Sequence, residues 1–278
     1  MVSLQPKFRD MKKVLATLLI FAIYSCSTVP LTGRRQLSLI PGSQMTAMAV
    51  DQYKQVLNDS KIINGTAQSK MVKDVGARIS AAVEQYLRQK GHADMIKTFS
   101  WEFNLIDENV VNAWCMPGGK VAFYTGIMPV CQDEAGIAVV MGHEVAHAVA
   151  KHGSERMSQG LVQQFGGTAL QVALKDKPAE TQSIYMAAYG LGAQYGAMLP
   201  FSRLHESEAD EMGLVFMAMA GYDPRTAPKF WERMSAQSGG AAPMEFLSTH
   251  PSHKTRISKL NAQMGKAYSI YQKNINKK

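Results

Sequence analysis

The sequence predicts an α+β protein, mostly helical, with a small three-stranded sheet beside one central helix. Three observations predict it. Apolar residues recur at helical spacing along most of the 278 residues. Three short alternating segments cluster between residues 101 and 126. One oily helical run carries the pattern H-E-x-x-H, from His143 to His147.

The elements follow in order. MKK at 11–13 precedes an apolar stretch of eleven residues, VLATLLIFAIY, which is short for a membrane span and suits the apolar core of an export signal. Ser25-Cys26 follows and is similar to the lipobox of bacterial lipoproteins, so residues 1–25 are expected to be a signal peptide and Cys26 to be acylated. Residues 26–42, ending in PLTGRRQLSLIPG, read as an extended tether, and 43–278 as one domain. Ser43 is placed to cap a helix running to about 58. A second helix, 67–89, has Met71, Val75, Ile79, Val83 and Leu87 four apart along one stripe. Strands are expected at 101–107, 110–116 and 120–126, with PGG turning between the last two. The H-E-x-x-H helix begins near Gln132-Asp133-Glu134, where acidic residues suit the helix dipole, and runs to about 152. Helices at about 158–174, 179–199, 204–220, 224–237 and 254–264 complete the chain. Residues 152–204 are the candidate for a lid, and 239–243 for a mobile loop.

Composition excludes little but constrains partners. The chain is 46% hydrophobic with a net charge of +8, and part of that charge sits before Cys26. No Lys/Arg cluster is interleaved with aromatics, so no nucleic-acid partner is expected. The uncharged run 184–201 carries Gln194, several glycines and three tyrosines and makes a poor membrane span. In an exported chain Cys115 and Cys131 could form a disulfide across the MPGGK turn or remain two buried thiols.

His143 and His147 stand four apart, so on a helix their rings lie one turn above the other and can converge on one ion. Glu144 is rotated away from that ion, yet within reach of a water on it. The flanking Val139, Val140, Val145, Ala146, Ala148 and Val149 bury all three polar groups, which costs free energy unless something satisfies them. A catalytic zinc requires a third protein ligand and an open position. HESEAD, 205–210, offers Glu206 as ligand and, one turn later, Asp210 to accept the other ring N–H of a ligand histidine. His205 is the rival ligand, and Glu208, on another face, reads as structural. Ala150 and Gly153 stand where H-E-x-x-H-x-x-G-x-x-H has Gly and His, so that metzincin arrangement is excluded and the third ligand belongs to a later helix, the gluzincin plan.

HEVAH, then ESEAD, then THPSHKTRI together resemble the family-48 zinc metallopeptidases, over most of residues 27–265. NAWCMPGGKVAFYTG and STVPLTGRRQL extend the likeness. The latter is similar to the bacterial periplasmic lipoprotein branch, akin to outer-membrane quality-control peptidases and the mitochondrial stress peptidase. The resemblance implies a gluzincin fold and one Zn2+ per chain held by His143, His147 and Glu206, with Glu144 as general base and Asp210 behind the ligands. It implies an active-site role for His250, either as a fourth ligand that blocks the water position or, once displaced, as a donor to the oxyanion. A plain loop histidine beside Pro251 is the alternative. Arg256 is read as supporting that loop or binding substrate carbonyls, against a surface ion pair. The strand at Asn112-Ala113 is the candidate edge for an extended substrate.

The reaction expected is hydrolysis of peptide bonds in unfolded or misassembled envelope proteins. The expected place is a lipid anchor at the outer membrane of a Gram-negative-type bacterium, facing the periplasm. The competing reading is a periplasmic chaperone or assembly factor that uses the same cleft with little proteolysis. An intact Glu144 argues against it, because metal binding alone does not require that residue.

Overall fold

The computed structural model describes residues 26–194, 198–236, 246, 250 and 254–276. The expected signal peptide and the 239–243 loop lie outside the described residues. The chain is mostly helical, as the sequence predicts. Strands β1 (Cys26–Thr28) and β2 (Arg35–Leu37) pair antiparallel. Helix α1 (Gly42–Asp59), the short strand β3 (Ile62–Ile63), α2 (Ala67–Gln89) and the single turn α3 (Ala93–Ile96) follow. Next come β4 (Glu102–Ile106), β5 (Ala113–Met116) and β6 (Lys120–Tyr124). The remaining helices are α4 (Met128–Cys131), α5 (Glu134–Val149), α6 (His152–Leu174), α7 (Ala179–Ala193), α8 (Leu199–Met219), α9 (Thr226–Ala236) and α10 (Lys254–Ile275).

Two features differ from the sequence reading. The sheet has a fourth strand, in the order β3-β4-β6-β5, because Ile62–Ile63 adds an antiparallel edge to β4. Two residues are too few to show an alternating pattern. The segment expected as an extended tether is instead a hairpin packed on the body: Val29 is fully buried, and Arg34 reaches acidic residues on two distant helices. Cys115 and Cys131 are free thiols. No helix among the described residues is long and apolar enough to cross a membrane.

The core explains where α5 sits. The α2 stripe Val75, Ile79, Val83 and Leu87 is fully buried, each side chain contributing about 1.5–3 kcal/mol. It packs on one face of α5 and on β4. Asp133 caps α5 by accepting from the Gly136 N–H at 2.8 Å, and α5 is buried nearly all round. That helix ends at Val149, three residues before the expected end, because Lys151 takes a left-handed conformation (φ 58°) and α6 restarts beyond it. Helices α6 and α7 form an antiparallel pair whose outer face leaves Val162, Phe165, Val172, Ile184, Tyr185 and Leu191 exposed.

Candidate metal centre

The site is built where α5 crosses α8. Gly142 on α5 and Gly213 on α8 let the backbones touch: a Cβ on Gly213 would meet His143 N at 3.0 Å, and one on Gly142 would meet Gly213 O at 2.9 Å. Glu206, Asp210 and Gly213 fall on one face of α8, at helical spacings of four and three. The close crossing therefore drives both carboxylates against His143. His250 joins from the chain before α10, its N–H bonded to Phe246 O at 2.8 Å.

Four side chains converge. One nitrogen or carboxylate oxygen from each of His143, His147, Glu206 and His250 lies within 4.8 Å of all the others, and all four residues are buried. His143 Nε2 and His147 Nε2 are 3.1 Å apart, and each is 3.3 Å from a Glu206 oxygen. His250 Nδ1 lies 3.0 Å from Glu206 Oε1 and 3.2 Å from His143 Nε2. Tetrahedral ligands about 2.0–2.1 Å from one zinc have edges of about 3.3 Å, so these spacings suit a shared ion.

Hydrogen-bond bookkeeping supports the same conclusion. His143 Nδ1 faces Asp210 Oδ1 at 3.0 Å, and a carboxylate only accepts, so Nδ1 carries the hydrogen and, in the neutral ring, Nε2 points a lone pair at Glu206. His147 Nδ1 is 2.8 Å from His152 Nδ1, and His152 Nε2 is 2.9 Å from Glu208 Oε2. That chain leaves His147 Nε2 with a lone pair too. With both rings neutral, a carboxylate and bare imidazole nitrogens face one another, and Glu206 Oε2 has no hydrogen-bond donor. One proton satisfies one pair of these atoms, whereas one cation satisfies them all. The residues present fit a zinc ion.

The charges agree. Burial works to lower His143, but Asp210 and Glu206 outweigh it and hold its pKa at about 9. Burial opposes ionisation of Glu206, yet its three histidine partners hold it far below the usual carboxylate range. Burial drives His147 well below the usual histidine value and His152 to about 4. Glu144 is 3% exposed, its Oε1 lacks a hydrogen-bond partner, and burial pushes its pKa up. His250 Nε2 is 3.4 Å from that oxygen.

The chain also matches the model of Peptidase family M48 over residues 75–264. The chain belongs to peptidase family M48. It is 33% identical over 241 residues to the mitochondrial metalloendopeptidase OMA1 of Schizosaccharomyces pombe, covering 86% of this chain and 66% of that one. The OMA1 of Arabidopsis thaliana is 41% identical over 187 residues, 66% of this chain and 36% of its own length. The beta-barrel assembly-enhancing protease of Escherichia coli is 25% identical over 265 residues, 90% of this chain and 52% of that one. The chain thus spans from about a third to two thirds of these M48 relatives.

The remaining candidates are placed as follows. Arg256 is buried at 4% exposure, not on the surface: its Nη2 donates to Asp210 at 2.6 Å and its guanidinium lies 3.3 Å over the Trp231 ring. Its carboxylate contacts are Asp210, which backs His143, and Glu206 at 3.5 Å. His205 is outside the cluster, donating from Nε2 to Glu155 at 2.8 Å. Asn112 and Ala113 stand at and just before the start of β5, the sheet edge, both buried, with the Ala113 N–H already bonded to Asn112 Oδ1. A cleft of about 210 Å³ meets this strand further on, at Cys115 and Met116, and reaches His147, Ala148 and Lys151. Sequence reasoning missed Arg34 and His152, which the geometry ties to His147. The histidine count near the motif was the available signal for His152; nothing local marked Arg34.

Proposed function

We propose that the chain is a zinc metalloendopeptidase that cleaves unfolded or misassembled envelope proteins. The observation that carries the reading is the convergence of His143, His147 and Glu206 beside a buried Glu144 whose Oε1 takes no hydrogen bond. A zinc ion held there supplies an activated water and polarises the scissile carbonyl. Glu144, its proton affinity raised by burial, takes the water proton and delivers it to the leaving amine, a contribution of about 10²–10⁴-fold. Asp210 fixes the tautomer of His143, and Arg256 balances the charge of Asp210. His250 fills the fourth position in the arrangement seen, so it acts as a latch that must swing away before substrate is cut.

The edge strand β5 beside the cleft suits a substrate bound as an extended strand, with Asn112 and Ala113 at its start. Main-chain pairing of that kind accepts many sequences, as quality control requires. Two relatives, a mitochondrial metalloendopeptidase and a beta-barrel assembly-enhancing protease, support the substrate class. Cys26, preceded by an apolar run, supports a lipid anchor and a place at the outer membrane facing the periplasm. The test is digestion of unfolded casein by the zinc-loaded full chain, its Glu144→Gln form and its His250→Ala form. The reading requires cleavage by the parent, loss of at least about a hundredfold in Glu144→Gln, and faster cleavage in His250→Ala. Equal cleavage by Glu144→Gln removes the peptidase reading. Rescue of outer-membrane defects by that variant would make binding the primary role.

A further inference from the structure

A second buried polar network backs His147 and extends to the N-terminal hairpin. Its members are His152, Glu155, His205 and Glu208, each at most 4% exposed, and Arg34 from the loop between β1 and β2. Arg34 Nε donates to Glu208 Oε2 at 3.0 Å, and Thr32 Oγ1 donates to Glu208 Oε1. The same guanidinium grips both oxygens of Glu155, at 2.9 and 2.7 Å, in the forked geometry that only arginine provides. Glu155 also takes the His205 Nε2 hydrogen bond.

Donor and acceptor roles along this chain are forced. Glu208 accepts only, so His152 must donate to it from Nε2 and accept at Nδ1. The hydrogen His152 accepts at Nδ1 comes from His147 Nδ1, which turns His147 Nε2 toward Glu206 as a free lone pair. Asp210 does this for His143 in one step. For His147 an imidazole is interposed, and the carboxylate at the far end, Glu208, is held by Arg34, 174 positions away in sequence. Two buried carboxylates also need a counter-charge, and among the described residues Arg34 is the cation paired with both.

We propose that Arg34 is a positioning residue of the metal centre: with Thr32 it locks Glu208, and through Glu208 and His152 it sets the tautomer and ring angle of His147. The hairpin at residues 26–37 is thereby a working part of the site. The proposal rests on the reading of His147 as a zinc ligand.

The test uses the full chain and two readouts other than cleavage: the zinc dissociation constant from chelator competition, and the visible absorption of the cobalt-loaded site. Arg34→Ala and Glu208→Gln are each expected to raise the dissociation constant ten- to a hundredfold and to change the cobalt spectrum. The double variant should be no worse than the poorer single, because both act on one chain of contacts. Arg34→Lys keeps the charge, loses the fork, and should show a smaller loss. Parent-like zinc affinity and cobalt spectrum in Arg34→Ala overturn the proposal, even where its melting temperature falls, since that would make the hairpin a clasp and nothing more. Should Arg34→Ala not fold, parent-like zinc binding by both Arg34→Lys and Thr32→Val overturns it equally. A parent chain that takes up neither zinc nor cobalt defeats the zinc reading itself, and this proposal with it.

Discussion

Asp210 is one side chain placed to serve both stability and the proposed metal centre. It accepts from His143 Nδ1 at 3.0 Å and from Arg256 at 2.6 Å, largely out of water. Asp210→Asn keeps the shape but leaves the Arg256 cation buried without its partner, which costs about 3–5 kcal/mol. We expect that loss in denaturant unfolding, together with a ten- to hundredfold weaker zinc dissociation constant. His143 gives a pH prediction. In the metal-free chain its folded pKa is raised to about 9, so near neutral pH it carries a proton that an ion must displace. His147 is depressed and Glu206 ionised, so neither adds a proton. Zinc affinity should therefore weaken as pH falls below about 9, by about tenfold per unit from this group. Calorimetry in buffers of different ionisation enthalpy should report about one proton released per zinc at neutral pH. A pH-independent affinity between 6 and 8 would contradict it.

At the scale of elements, the crossing of α5 and α8 is what converts two sequence motifs into one site. Gly142 and Gly213 set its depth. Gly213→Ala must force the helices apart or displace the His143 backbone, at a cost of about 1–3 kcal/mol, and the separation should carry Glu206 and Asp210 off His143. Thermal melting and zinc affinity should fall together. A variant less stable but with parent zinc affinity would show that the crossing distance does not govern the site. The α2 stripe, the H-E-x-x-H helix and the placement of Glu206 and Asp210 one turn apart were legible because each is a local period of about 3.6 residues. The break at Lys151 was not, since lysine carries no mark of a left-handed conformation. The two-residue strand β3 was invisible for want of length, and α10 runs to Ile275, beyond the expected 264, because a basic surface helix has few apolar positions to mark its end.

Over the whole molecule, the site draws on residues from one end of the chain to the other. Arg34, His143, Glu206, His250 and Arg256 meet within one buried region. Motif spacing disclosed the candidate ligands on α5 and α8, because a helix converts spacing into facing. It could not disclose Arg34, whose role depends on a hairpin folding back over α6 and α8, a tertiary event with no local period. Nor could it tell that Arg256 lies over Trp231 within the core, since a basic residue in a polar stretch reads as surface. The central claim is that His143, His147 and Glu206 hold a single zinc ion. Metal analysis of the folded, purified chain tests it most directly, alongside the His143→Ala and Glu206→Ala forms. The account predicts one zinc per parent chain and none retained by either variant; a folded parent without zinc, or variants that hold it as well as the parent, would contradict it.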